Sequence, residues 1–70
     1  MSLRMEIIVN GRAREVPDAC TLDELLAAQA VEPAHVVVEI NRQIVPKDDY
    51  GSLWIRPGDR VEILRFVGGG

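Results

Sequence analysis

The chain has 70 residues, a formal net charge of −3 and 47% hydrophobic side chains, with Tyr50, Trp54 and Phe66 as its only aromatic residues. That length allows one domain with a small, mostly aliphatic core, and the acidic balance with scattered Lys and Arg argues against a nucleic-acid partner, whose footprint is a basic patch or stripe. No apolar run is long enough to span a membrane, no signal-peptide pattern opens the chain, and the lone Cys20 fits a reducing compartment, so a cytoplasmic protein with no membrane partner is expected.

Met1–Arg4 precede the first regular pattern and read as an expression leader or an extended start, leaving 5–67 as the domain and 68–70 as a glycine tail. From Met5 the chain alternates Met5, Ile7 and Val9 against Glu6 and Ile8. Asn10-Gly11 follows, the dipeptide that best suits a two-residue hairpin turn because both positions need φ > 0. A second strand runs to Val16 and stops at Pro17. "CTLDELLAAQA" predicts a helix of about ten residues. Thr21 and Glu24 have capping-box spacing, and Leu22, Leu25, Leu26 and Gln29-Ala30 form the stripe that Pro33 ends.

"HVVVEIN" predicts a third strand, with Val36, Val38 and Ile40 on one face and Val37 and Glu39 on the other. Asn41-Arg42 turns the chain, "QIV" is a brief extended piece ended by Pro46, and 47–55 read as a connection. "RPGD" places Pro and Gly as a type II turn requires. "RVEILRFV" is the last and most apolar strand, expected at the centre of the sheet beside the first. The order β-β-α-β-β-β predicts an α+β fold, a mixed sheet with one main helix packed on one face.

Parity then sorts the last strand. Glu62 belongs in water, so Val61 and Ile63 face the helix, and Leu64 and Phe66 emerge on the open face. The same rule exposes Ile8 and Val37. Ile8, Val37, Leu64 and Phe66 are therefore expected to form one apolar docking patch beside the tail. Arg65 falls on the core side, so pairing is expected to loosen there.

Few side chains offer catalysis. No Ser/His/Asp or Cys/His set stands out, and His35 lacks a partner at metal-ligand spacing, so no metal site is expected. Cys20 has no basic neighbour to lower its pKa and reads as structural. Asp23-Glu24 fit helix capping, and Asp48-Asp49 fit a solvated turn. No P-loop pattern occurs. The remaining reactive group is the carboxylate of Gly70, an anion at neutral pH with an expected pKa of roughly 3.3–3.7. It is a poor electrophile until activated, for instance as a mixed anhydride with AMP, and that step needs a partner enzyme. A four-residue extended tail reaches roughly 13–14 Å. Lacking Cβ atoms, Gly68 and Gly69 can thread a narrow channel that other residues could not.

"MEIIVNG", "INRQIVPKDDY" and "PGDRVEILRFVGGG", in that order and at these distances, resemble the sulfur-carrier proteins of thiamin biosynthesis, the ThiS family, from Met5 to Gly70. The resemblance implies a ubiquitin-like β-grasp fold and a carrier rather than an enzyme. It implies that a ThiF-like activating enzyme adenylates Gly70 with ATP and magnesium, which this chain does not itself bind. A sulfur donor such as a cysteine desulfurase system then supplies the sulfur of a thiocarboxylate, and thiazole synthase, ThiG, takes it. Carried over, Gly70 bears the adenylate and then the thiocarboxylate, and Gly68 and Gly69 thread into the partner. Related carriers commonly end in two glycines, and this chain ends in three. The alternatives are a MoaD-like carrier for molybdopterin, a protein modifier resembling Urm1, and a non-covalent binding module. MoaD proteins tend to carry prolines before the tail, which "EILRFVGGG" lacks, and TGS-type RNA-binding domains need a basic surface.

Overall fold

The computed structural model describes residues 3–66. Its first hairpin follows from the turn residues. Strands β1 (Arg4–Val9) and β2 (Arg12–Pro17) pair antiparallel from Arg4↔Pro17 to Val9↔Arg12. Asn10 and Gly11 between them have φ of 49° and 82°, the paired positive values that match the turn to the right-handed strand twist. The Leu3 carbonyl accepts a 3.2 Å hydrogen bond from the Asp18 N–H, and the Arg4 guanidinium lies 3.7 Å from the Glu15 carboxylate. Leu3 and Arg4 thus belong to the folded domain, which begins before the Met5 boundary expected from the alternation.

Helix α1 (Leu22–Ala28) starts with the expected capping box. The Thr21 N–H donates to Glu24 Oε1 at 2.8 Å, and the Glu24 N–H donates to Thr21 Oγ1 at 3.2 Å. Two further N-terminal donors reach a distant part of the chain. The Leu22 N–H donates to the Leu53 carbonyl at 2.9 Å and the Asp23 N–H to the Tyr50 carbonyl at 3.0 Å. The donors that a helix start leaves unpaired are therefore met jointly by its own cap and by the segment before Trp54.

The helix is seven residues long, shorter than the stripe predicted. Ala30 turns into the left-handed region at φ 57°, while the Ala30 and Val31 N–H groups donate to the carbonyls of Ala27 and Leu26. This is a Schellman stop, and it lets Val31 pack against the core where further helix would have presented Gln29. The stop uses Ala where Gly is favoured. Ala30→Gly should therefore raise stability by about 1 kcal/mol, read as a higher urea midpoint at unchanged slope.

A 3₁₀ turn (Pro33–His35) leads into β3 (Val36–Ile40), which pairs with β4 (Gln43–Ile44) through Asn41-Arg42, both at positive φ. Strand β5 (Arg60–Arg65) is central as expected, parallel to β1 and antiparallel to β3, in the order β2-β1-β5-β3-β4. The turn before it closes with the Asp59 N–H on the Arg56 carbonyl at 3.1 Å and Gly58 at φ 80°, the type II arrangement predicted.

One face of the sheet buries Met5, Ile7, Val9, Val36, Val38 and Val61 against Leu22, Leu25 and Leu26. The parity assignment holds along β1, β3 and β5. The connection at 47–55 contributes more than a link, because Tyr50 and Ile55 are buried in the same core, as is Val45 of the extended piece before it. One expectation is corrected at the end of β5. Arg65 stays paired with Val36, and the Phe66 N–H still donates to the His35 carbonyl at 3.0 Å. The ladder holds there because both backbones remain extended. The core ends at Arg65 through its exposed side chain, without any loss of pairing.

Candidate functional site

Alternation along β5 puts Arg60, Glu62, Leu64 and Phe66 on the face turned away from α1. Leu64 and Phe66 are 50% and 56% exposed although both are large and apolar. Val37, half-buried, lies directly across from Leu64 in the β3–β5 ladder. These three residues form the apolar patch expected from the sequence, at the end of β5 from which the chain continues towards the tail.

Ile8 does not join them. Its register partner on β5 is Arg60, four residues before Leu64, or roughly 13 Å along the strand, with Glu62 in between. Parity placed Ile8 on the right face, but the parallel register of β1 places it at the other end of β5. Gly68, Gly69 and Gly70, assigned to the tail, lie outside the described residues.

The root of the tail is held from the side. Lys47 Nζ sits 5.6 Å from the centre of the Phe66 ring and donates to the Ala34 carbonyl at 3.1 Å. A cation over an aromatic face is attracted by the ring quadrupole, so Lys47 and the His35 carbonyl together fix where Phe66 leaves the sheet. The sequence reading missed Lys47, because nothing in the run "PKDDY" marks its lysine as a neighbour of Phe66.

The two asparagines at the hairpin tips also reach β5. Asn10 Oδ1 accepts from the Ile63 N–H at 2.8 Å, and Asn41 Oδ1 accepts from the Arg60 N–H at 3.0 Å. Asn41 Nδ2 donates to Asp59 Oδ1 at 3.0 Å, and Asp59 Oδ2 accepts from the Arg56 N–H at 2.8 Å. The segments "INRQIVP" and "PGDR" are thereby one hydrogen-bonded unit that sets the start of β5.

The other candidate groups are quiet. Cys20 is buried, and that burial, with the nearby Glu24 carboxylate adding to it, pushes its thiol above the ordinary value, so it stays protonated at neutral pH. Among the described residues no three His, Cys, Asp or Glu side chains are placed to hold a metal, and His35 is exposed. Asp48 and Asp49 are exposed in a 3₁₀ turn (Lys47–Asp49), in keeping with a solvated turn. A second apolar feature was not foreseen. Ile44 and Trp54, 68% and 59% exposed, line an open groove of about 600 Å³ beside β4.

The ThiS family model matches residues 7–70. The chain belongs to the ThiS family. It is 40% identical over 53 residues to the sulfur carrier protein ThiS of Bacillus subtilis, covering 76% of this chain and 80% of that one. The crystal structure of a thiamine biosynthesis protein (ThiS) from Geobacter metallireducens superposes with a TM-score of 0.82 at 33% identity, covering 94% of this chain and all of that one. The fold is thus the ubiquitin-like β-grasp shared with that protein. The chain is also 38% identical over 66 residues to a thiazole synthase of Paramagnetospirillum magneticum, of which it spans only 20%. Among the described residues no helix is long and apolar enough to cross a membrane.

Proposed function

We propose that this chain is a sulfur carrier for thiamin thiazole synthesis, working in the cytoplasm as a substrate of other enzymes rather than as an enzyme. The observation that carries this reading is the ThiS family match, which runs through Gly70 and so takes in the glycine tail. The apolar patch of Val37, Leu64 and Phe66 supports it, since it lies at the root of that tail and offers a docking face. The thiazole synthase relative supports the partner, because a stretch similar to this chain is part of that longer protein. The same family match favours this carrier over one for molybdopterin and over a protein modifier.

In the proposed sequence a ThiF-like enzyme binds the open face and draws Gly68 and Gly69 into its active site. There the Gly70 carboxylate attacks the α-phosphorus of magnesium-bound ATP, and pyrophosphate leaves. The terminal sulfur of a persulfide, supplied by a cysteine desulfurase system, attacks the acyl carbon and expels AMP. A thiol, the reductant, then attacks the cysteine sulfur of the resulting acyl disulfide, forming a new disulfide with that cysteine and releasing the thiocarboxylate, which thiazole synthase accepts. The fold contributes recognition and reach. Glycines suit the tail because a threading backbone meets the channel wall without side chains.

The test is intact-mass measurement after incubation with a ThiF-type enzyme, ATP, magnesium and a sulfur donor. The expected gain is that of one sulfur replacing one oxygen, abolished when Gly69 and Gly70 are deleted. An unchanged mass, or a normal reaction after that deletion, would overturn the carrier reading.

A further inference from the structure

Strand β5 loses support on one side before it ends. Its pairing with β1 is limited to Ile8↔Arg60 and Val9↔Val61, while its pairing with β3 runs on to Val36↔Arg65. Beyond Val61 the β1 hairpin reaches β5 through the Asn10 carboxamide, which accepts from the Ile63 N–H. Leu64, Arg65 and Phe66 are therefore held from the β3 side, as on an edge strand. Their side chains are exposed, so the core does not fix the chain there. A segment with one row of hydrogen bonds and few buried contacts opens locally at low cost.

Lys47 adds a hold of its own at this point. Its backbone is anchored to the core, because the Lys47 carbonyl accepts at 3.2 Å from the N–H of buried Tyr50. Its ammonium donates to the Ala34 carbonyl at 3.1 Å and lies 5.6 Å from the centre of the Phe66 ring. His35, the next residue after Ala34, accepts from the Phe66 N–H at 3.0 Å. One turn, Pro33–His35, thus holds both the cation and the backbone of the residue whose ring it meets. Asp48 and Asp49 follow Lys47 directly, yet among the described residues neither forms an ion pair with it. Ordering a long, flexible side chain against a neutral carbonyl and an exposed ring does little for the stability of the free domain. Its effect is on the direction in which the chain leaves Phe66.

We propose that Lys47 is a positioning residue for the carrier reaction, acting through Phe66 to keep the end of β5 on the sheet so that the chain beyond it starts in one direction. The inference rests on the carrier reading and adds to it a residue outside both the tail and the apolar patch. Directions excluded before binding need not be given up on binding, so a fixed exit lowers the entropic cost of threading.

The test is a double-mutant cycle, read as the initial rate of pyrophosphate release during adenylation by a ThiF-type enzyme. Lys47→Met keeps the apolar stem and removes the charge and the donor, and Lys47 is exposed, so the fold should persist. The variant should lower kcat/KM for the carrier about fivefold, the scale of one cation–π contact. Lys47→Arg keeps a cation and its donors and should return kcat/KM to within about twofold of the parent. Phe66→Leu keeps an apolar side chain and removes the ring. In that background Lys47→Met should change kcat/KM by less than about twofold, because the contact is already gone. A full loss in both backgrounds would overturn the proposal and assign Lys47 to a direct contact with the enzyme. A loss under about twofold from Lys47→Met alone, or no rescue by Lys47→Arg, would overturn it as well. In the free protein, Lys47→Met should speed exchange of the Phe66 N–H by about threefold or more and leave that of Ile63 unchanged, and equal rates at Phe66 would count against the clasp. Absence of adenylation in the parent chain would overturn the carrier reading and this role with it; the other outcomes, in a parent that is adenylated, overturn the role alone.

Discussion

Leu26→Ala should cost the domain about 3 kcal/mol and lower its Tm by roughly 12–24 °C. Leu26 is fully buried, and helix α1 has only seven residues. A helix that short does not hold in water by propensity, so its stability comes from the packing of Leu22, Leu25 and Leu26 on the sheet. Alanine is the best helix former, so the substitution removes packing and leaves the backbone preference intact. Domains of this size hold roughly 4–10 kcal/mol in all, which makes the loss about three-tenths or more of the total. The Val31 N–H on the Leu26 carbonyl is a backbone bond and survives the change. Urea unfolding followed by circular dichroism measures the loss. A cost under 1 kcal/mol would mean that the site collapses around the smaller side chain and that the helix is not the keystone of the core.

The elements that could be read from the sequence are those whose cause is local. Asn10-Gly11 fixes a hairpin because only such residues take paired positive φ cheaply, and Thr21 with Glu24 fixes a helix start because Glu24 lies three positions after the cap. Alternation assigned the faces of β1, β3 and β5 because strand period is two wherever the strand lies. What escaped depends on register or on contacts between distant segments. Ile8 was placed on the correct face but at the wrong end, since the offset between two parallel strands is not encoded in either strand alone. Tyr50 and Ile55 looked like parts of a connection, yet they are buried because the segment carrying them packs along the helix start and supplies two of its hydrogen-bond acceptors. Asn41 was legible as a turn residue but not as the partner of Asp59 and Arg60, eighteen and nineteen residues away. The helix was overextended because Gln29 and Ala30 continue the spacing of the stripe, whereas Val31 buries more apolar surface once the chain reverses.

The apolar patch at the end of β5 yields the second large effect, through the docking role proposed for it. Leu64→Asp should raise KM for adenylation by about thirtyfold, the scale of losing an interface hot spot of roughly 2 kcal/mol. In the free domain Leu64 is half exposed, so the same change should cost only about 1 kcal/mol and leave the fold intact. The two effects separate because the partner would bury the half of the side chain that the sheet leaves in water. Leu64→Asn isolates the cause. It has nearly the shape of Asp without the charge, so a loss of similar size would assign the effect to missing apolar contact, and a much smaller one to repulsion between the new carboxylate and the partner or Glu62. Trp54→Asp is the spatial control, since Trp54 is as exposed as Leu64 but lines the groove beside β4. The expected pattern is a large KM effect at Leu64 and a small one at Trp54. The reverse pattern would move the docking surface from the β5 face to the Ile44–Trp54 groove, and with it the direction from which the tail enters the partner.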